Sequence, residues 1–287
     1  MTTYQDGKMN SIAIARPGQQ APGRVLIKNN GQMVNPKKVN NSCIDNRALN
    51  KLAKWLSTEE QTRLERIIDK PFTLYRGKHL FRQNAGFQNL YALRSGCIKN
   101  YITDKNGAER IISFSLPGEI LALDAIADKT YKYSAIVLED ASIQRVSYQS
   151  LNRLGALIPH LQFNLLHIFS EEINLAHERR SMFTNKSAEE KLAIFLLDFL
   201  ERKHCIEDRK MELWLRMGRY DIANYLGLAS ETVSRVLTRL RDERTLQVEN
   251  RIIRIIDYPR LWSIAYGHSE TDTARNFIPG TLCAQTV

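Results

Sequence analysis

The chain has 287 residues, 43% of them hydrophobic and 25% charged, enough for one large or two modest domains with a buried core. Its net charge of +10 favours polyanionic partners without naming one. Apolar runs such as 192–197 fall far short of the ~18–20 residues of a membrane span, and no leader pattern precedes them, so a cytoplasmic protein without a membrane partner is expected.

Residues 1–48 carry seven basic and two acidic residues with Pro17, Pro22 and Pro36, and read as a disordered basic arm. From Leu49 to Asp69, Leu52, Trp55 or Leu56, Leu64, Ile67 and Ile68 recur at helical spacing, with Ser57 or Thr58 and Glu60 as a cap inside the run. Between Phe72 and Tyr148 the period becomes two, and Gly77, Gly86, Gly96, Gly107 and Gly118 punctuate runs such as 89–93, 97–102, 110–114 and 142–146. Short strands at that interval predict a β-roll. A roll can house a cupin-like metal enzyme, but His79 is its one histidine, so that alternative lacks its ligands.

After Pro159 the pattern turns helical. Leu161, Leu165, Ile168, Glu172, Leu175, Arg179 and Met182 alternate by four and three, and a second stripe of Leu166, Phe169, Ile173 and Ala176 runs alongside. One face is expected to pack on the roll and the other on a partner helix. Leu161, Leu165, Ile168, Leu175 and Met182 are assigned to the dimer seam, with Glu172 and Arg179 where the helices splay.

The element richest in chemistry is the helix-turn-helix over 217–240. Asp221 to Leu226 form a short helix with Ile222, Ala223 and Leu226 inward, and Gly227 supplies a left-handed turn. Ser230 is read as the cap of a second helix that buries Val233, Val236, Leu237 and Leu240. Ser230, Glu231, Ser234 and Arg235 are the candidate base contacts: Arg235 can donate twice to guanine, Glu231 accept from cytosine and Ser234 bond either edge. Thr238, Arg239 and Arg241 are candidate backbone contacts. Residues 246–256 read as a two-stranded wing.

Roll, long helix and winged helix-turn-helix in this order resemble the Crp/Fnr family of bacterial transcription regulators over about residues 50–265. Ala229-Ser-Glu-Thr-Val-Ser-Arg235 resembles the family's recognition helix, Leu93-Arg-Ser-Gly96 and Leu116-Pro-Gly-Glu119 its roll turns, and Lys186-Ser-Ala-Glu-Glu-Lys-Leu-Ala193 the Fnr branch. The resemblance implies an α+β chain without catalytic activity: a cyclic-nucleotide-binding-like jelly roll (49–158), a dimerisation helix (159–183) and a winged helix-turn-helix domain (184–265); it leaves unmatched the disordered arm (1–48) and a flexible tail (266–287). It further implies a homodimer on double-stranded DNA with a TTGAT-like half-site, activating transcription through RNA polymerase.

The chain departs from its relatives at their sensors. Cys43, Cys97, Cys205 and Cys283 do not repeat the closely spaced N-terminal cysteines of oxygen-sensing relatives, so no iron-sulfur cluster is expected. After Gly118-Glu119 the chain reads Ile-Leu-Ala-Leu-Asp-Ala-Ile-Ala, and Tyr133-Ser134-Ala135 stands where cyclic-AMP-binding relatives place a phosphate-binding arginine, so cyclic AMP is not expected. Haem through His79 or Cys97 stays open, as does an effector-gated sensor. The alternative favoured is a constitutive dimer regulated by its own abundance.

Overall fold

The computed structural model describes residues 28–29, 32–33, 47–204 and 211–267. Most of the arm expected over 1–48 and of the tail over 266–287 lies outside the described residues, as do Cys43, Cys205 and Cys283. The chain divides into two units, Met1–Asn40 and Asn41–Val287. In the first, β1 (Lys28–Asn29) pairs antiparallel with β2 (Gln32–Met33). Asn30-Gly31 between its strands is a strong hairpin signal in the sequence.

The second unit opens with α1 (Arg47–Ala53) and α2 (Thr58–Glu65). Ser57 caps α2 in a reciprocal box: its Oγ accepts the Glu60 N–H at 3.3 Å and its own N–H donates to Glu60 Oε2 at 2.8 Å. The roll follows: β3 (Phe72–Leu74), β4 (His79–Phe81), β5 (Asn89–Thr103), β6 (Glu109–Ser115), β7 (Ile120–Leu121) and β8 (Ser134–Ser147). They form one antiparallel sheet in the order β3-β8-β5-β6, with β4 on β8 and β7 on β5.

The runs expected at 89–93 and 97–102 are one strand, β5, because Gly96 makes a bulge rather than a turn. Gly96 has φ of 97°, and a Cβ there would stand 2.7 Å from Ala141 Cα on β8, so both backbone conformation and close approach require glycine.

Ser147 then caps α3 (Tyr148–Leu157), and Ile158-Pro159 turns the chain into the 25-residue α4 (Pro159–Phe183). Part of the seam read from the heptad is covered by its own chain, while Leu175 stays exposed. Leu161 and Ile168 are buried in their own chain's roll core, Leu165 packs against that core, and Met182 packs on the second core described below. Asn164 lies on the same face and donates to the Leu52 and Lys54 carbonyls at 2.9 and 2.5 Å, tying α4 to α1. Glu172 is half-buried within the chain, where burial pushes its carboxyl above its ordinary range. Leu166 and Ile173 of the second stripe are exposed, together with Phe163 and Leu175.

The C-terminal module comprises α5 (Ala188–His204), β9 (Glu212–Trp214), α6 (Arg219–Leu226), α7 (Ser230–Asp242), β10 (Leu246–Glu249), β11 (Ile252–Ile255) and α8 (Tyr258–Tyr266). Ser187 and Glu190 form a second capping box at the start of α5. The expected two-stranded wing is a three-stranded antiparallel sheet, because β9 adds to β11. Leu192, Phe195, Phe199, Leu213, Leu237, Leu240, Ile253 and Leu261 share one core, which also takes in Cys97, Tyr101, Ile111 and Phe114 from the roll.

Candidate DNA-binding interface

The interface grows from a tight turn between two short helices. Asp221, three residues after Gly218, accepts the Gly218 N–H on Oδ2 at 3.2 Å and closes the start of α6. At the other end Gly227 sits at φ 65° and ψ 42°, the left-handed conformation expected of it, and the Leu228 N–H reaches back to the Ala223 carbonyl at 2.9 Å. Ile222, Ala223 and Leu226 are buried, so α6 packs its apolar side under the next helix.

In α7 the stripe Val233, Leu237 and Leu240 is buried and Val236 packs beside it. The assignment of Ser230 as cap needs correction by one residue. Ala229 is the N-cap and Ser230 the first helical residue, its hydroxyl donating to Glu231 Oε1 at 3.3 Å.

Glu231, Ser234, Arg235, Thr238 and Arg239 are all exposed on the face opposite that stripe. Positions 231, 234, 235 and 238 project from one side of a helix because they are three, four and seven residues apart. Ser234, Arg235, Thr238 and Arg239 also line a groove with Asp242 and Glu243.

Local bonds hold these side chains. Ser234 Oγ donates to the Ser230 carbonyl at 3.0 Å, and Arg235 Nη2 to Thr232 Oγ1 at 3.2 Å. Arg239 pairs with Glu189 of α5 and, at 3.6 Å, with Glu243, while Arg241 bonds Asp242 at 2.9 Å. A phosphate at either arginine would therefore compete with a carboxylate already in place.

Sequence reasoning missed the groups that seat α6. Lys99 of β5 lies 3.3 Å from both Asp221 and Glu109. Asn224 Oδ1 accepts the Ile111 N–H at 2.8 Å, and Asn224 Nδ2 donates to the Glu109 carbonyl at 2.8 Å. Partners more than a hundred residues apart leave no periodic signal. Tyr220, 70% exposed in the first turn of α6, was also missed, since a single tyrosine carries no pattern.

Residues 190–264 match the Crp-like helix-turn-helix domain, and residues 71–156 the cyclic nucleotide-binding domain. Over 215 residues the chain is 33% identical to the transcriptional activator protein Anr of Pseudomonas protegens, covering 75% of this chain and 88% of that one. The chain belongs to the Crp/Fnr family of transcription regulators. The fumarate and nitrate reduction regulatory protein of Vibrio cholerae is 33% identical over 210 residues, 73% of this chain and 84% of its own. The structure of FixK2 from Bradyrhizobium japonicum, 24% identical, shares the fold with a TM-score of 0.63 over 69% of this chain and 98% of that one. As a Crp/Fnr regulator the protein is a DNA-binding factor rather than an enzyme, which removes the cupin-like alternative.

The roll's lining differs in chemistry from a phosphate-binding site at the position where the sequence comparison placed one. Tyr133, where a phosphate-binding arginine was sought, is buried and its hydroxyl accepts the Ala122 N–H at 3.1 Å. Glu119 is engaged by Arg202 of α5, and Phe81 stacks on Tyr131 with ring centroids 4.2 Å apart. A cyclic phosphate placed beside Tyr133 would meet a neutral ring.

Cys97 is 1% exposed, and burial pushes its thiol up to about 12, far from the thiolate that ligates iron. His79 bonds the Tyr101 hydroxyl through Nε2 at 2.8 Å, and burial lowers its basicity. Among the described residues no group of three or more His, Cys, Asp or Glu is placed to hold a metal.

Proposed function

We propose that this Crp/Fnr regulator is a cytoplasmic homodimer that binds a two-fold symmetric operator with a TTGAT-like half-site and activates transcription through RNA polymerase, without cyclic AMP or an iron-sulfur cluster. The observation that carries this reading is the exposed row of Glu231, Ser234 and Arg235 on a helix whose opposite stripe is wholly buried. Arg235 reads guanine O6 and N7, Glu231 a cytosine amino group, and Ser230 and Ser234 adjacent edges. Thr238, Arg239 and Arg241 set register on phosphates, Arg239 by exchanging Glu189 for a phosphate oxygen.

The dimer forms through the face of α4 that its own chain leaves most exposed: Phe163, Leu166, Ile173 and Ala176. Leu166, Ile173 and Ala176 keep the seven-then-three spacing of a coiled-coil seam, and 67% exposure of Leu166 leaves most of its surface to a partner. Activation is supported by the names of relatives such as Anr.

A salt-controlled titration of aerobically purified, ligand-free protein against a TTGAT palindrome and a scrambled duplex tests the reading. Selective binding supports it. Equal weak binding to both duplexes overturns either the half-site or the independence from an effector.

A further inference from the structure

The C-terminal module is seated on the roll of its own chain by an arginine that a DNA contact does not explain. Arg202, near the end of α5, has a side chain only 16% exposed. Its Nε and Nη2 donate to Glu119 Oε1 at 3.1 and 2.6 Å, and Nη2 also donates to the Phe114 carbonyl at 2.5 Å. Nη1 donates to Asp198 Oδ2, one turn back on α5, at 3.1 Å. Burial works against the Arg202 charge, yet the Glu119 and Asp198 carboxylates outweigh it and hold the group above its ordinary range.

The roll side of this clamp is stiff. The Gly118 N–H donates to the Leu93 carbonyl at 2.8 Å and the Leu93 N–H to the Glu119 carbonyl at 3.0 Å, so the turn carrying Glu119 is stitched to β5. Around the clamp the contact is extensive. Phe114 packs its ring against Phe195, Phe199 and Tyr225, Lys99 meets Asp221, Asn224 grips β6, and Arg216 pairs with Glu139 at 2.6 Å. None of these contacts covers Ser234, Arg235 or Thr238, which stay exposed.

We propose that Arg202 is a positioning residue for DNA recognition: it locks the module on the roll so that α7 is presented without a small-molecule effector. The inference rests on the DNA-binding reading above. The carboxylate at the roll's Gly118-Glu119 turn thereby serves as an internal anchor for the module.

The test compares the full-length wild type with Arg202→Met and Glu119→Gln, the second keeping volume and an acceptor in case the first fails to fold. Two readouts are taken. One is amide exchange at Ile111, whose N–H donates across the contact to Asn224, with Val137, bonded within the roll to Lys78, as the fold control. The other is affinity for a duplex selected by the wild type from a random pool, so that an error in the TTGAT assignment does not enter.

Both variants are expected to speed Ile111 exchange about tenfold or more with Val137 unchanged, and to weaken the selected duplex about tenfold at constant non-specific binding. Unchanged Ile111 exchange overturns the clamp. Faster exchange with unaltered or tighter DNA binding overturns the positioning role, the tighter case marking the contact as inhibitory. If the wild type selects no duplex, the DNA reading fails on its own, while the amide readout still decides whether Arg202 holds the module.

Discussion

Lys99 of β5 and Asp221 of α6 lie 122 residues apart in the chain and 3.3 Å apart in space. Burial works against the Lys99 ammonium, yet Asp221 and Glu109 hold it above its ordinary range. Asp221 does two things at once, because its other oxygen receives the Gly218 N–H that opens α6. Asp221→Ala is expected to lower stability by about 2 kcal/mol, since it removes a charge-assisted pair and a helix-start acceptor together. Asp221→Asn keeps an acceptor for Gly218 and should lose about half as much. Equal losses in urea denaturation would mean that only the ion pair matters.

Arg235→Ala should cost ~1–3 kcal/mol of discrimination at a single G·C pair while leaving affinity for random DNA nearly intact. Arg239→Gln should instead weaken all duplexes alike and reduce the salt slope by about one. Titrations at several salt concentrations separate the two, and a uniform loss for Arg235→Ala would contradict base reading.

The two faces of α4 can be told apart by mutation. Leu166→Glu and Ile173→Glu are expected to give a folded monomer at micromolar concentration, whereas Leu161→Ala should lower stability by ~2–5 kcal/mol through a core cavity without a specific effect on association. Sedimentation of metal-free, ligand-free protein with parallel thermal melts decides this. A wild type that is already monomeric would also end the idea of a constitutive dimer.

Cys97 should be inert. With its thiol at about 12 inside a shared core, it stays protonated at pH 8. Alkylation followed by site-resolved mass spectrometry should leave Cys97 unmodified in the folded chain and modified after denaturation. Rapid native labelling would show that the contact between roll and module opens.

Glu190 supplies a pH test. Hydrogen bonds from Lys186 and then Ser187 pull its carboxyl down to about 2 from 4.5. Its folded value lies below its unfolded one, so its contribution is present above pH ~4.5 and fades as pH falls towards ~2. Carboxyl NMR of the native chain should show Glu190 charged at pH 3.5, and a midpoint near 4.5 would remove the capping box at the start of α5.

Much of this was legible in the residues. The Ser57 box, the left-handed Gly227 and the buried stripe of Val233, Leu237 and Leu240 all depend on partners within a few positions, which periodicity and cap chemistry report directly. Gly96 read as a turn because a glycine between two β runs normally breaks a strand, whereas its close approach to Ala141 makes it a bulge inside β5. Leu161 and Ile168 read as seam because a heptad repeat states that a face is apolar, not which surface covers it.

The sequence by itself therefore determined the order of roll, long helix and winged helix-turn-helix, and the side chains that α7 turns outward, since local spacing alone sets those. Only the tertiary structure decided which stripe of α4 its own chain leaves exposed, and that Arg202 and Lys99 tie the module to the roll. Those outcomes depend on groups 83 and 122 residues apart, brought together by burial of a shared core rather than by any repeat along the chain.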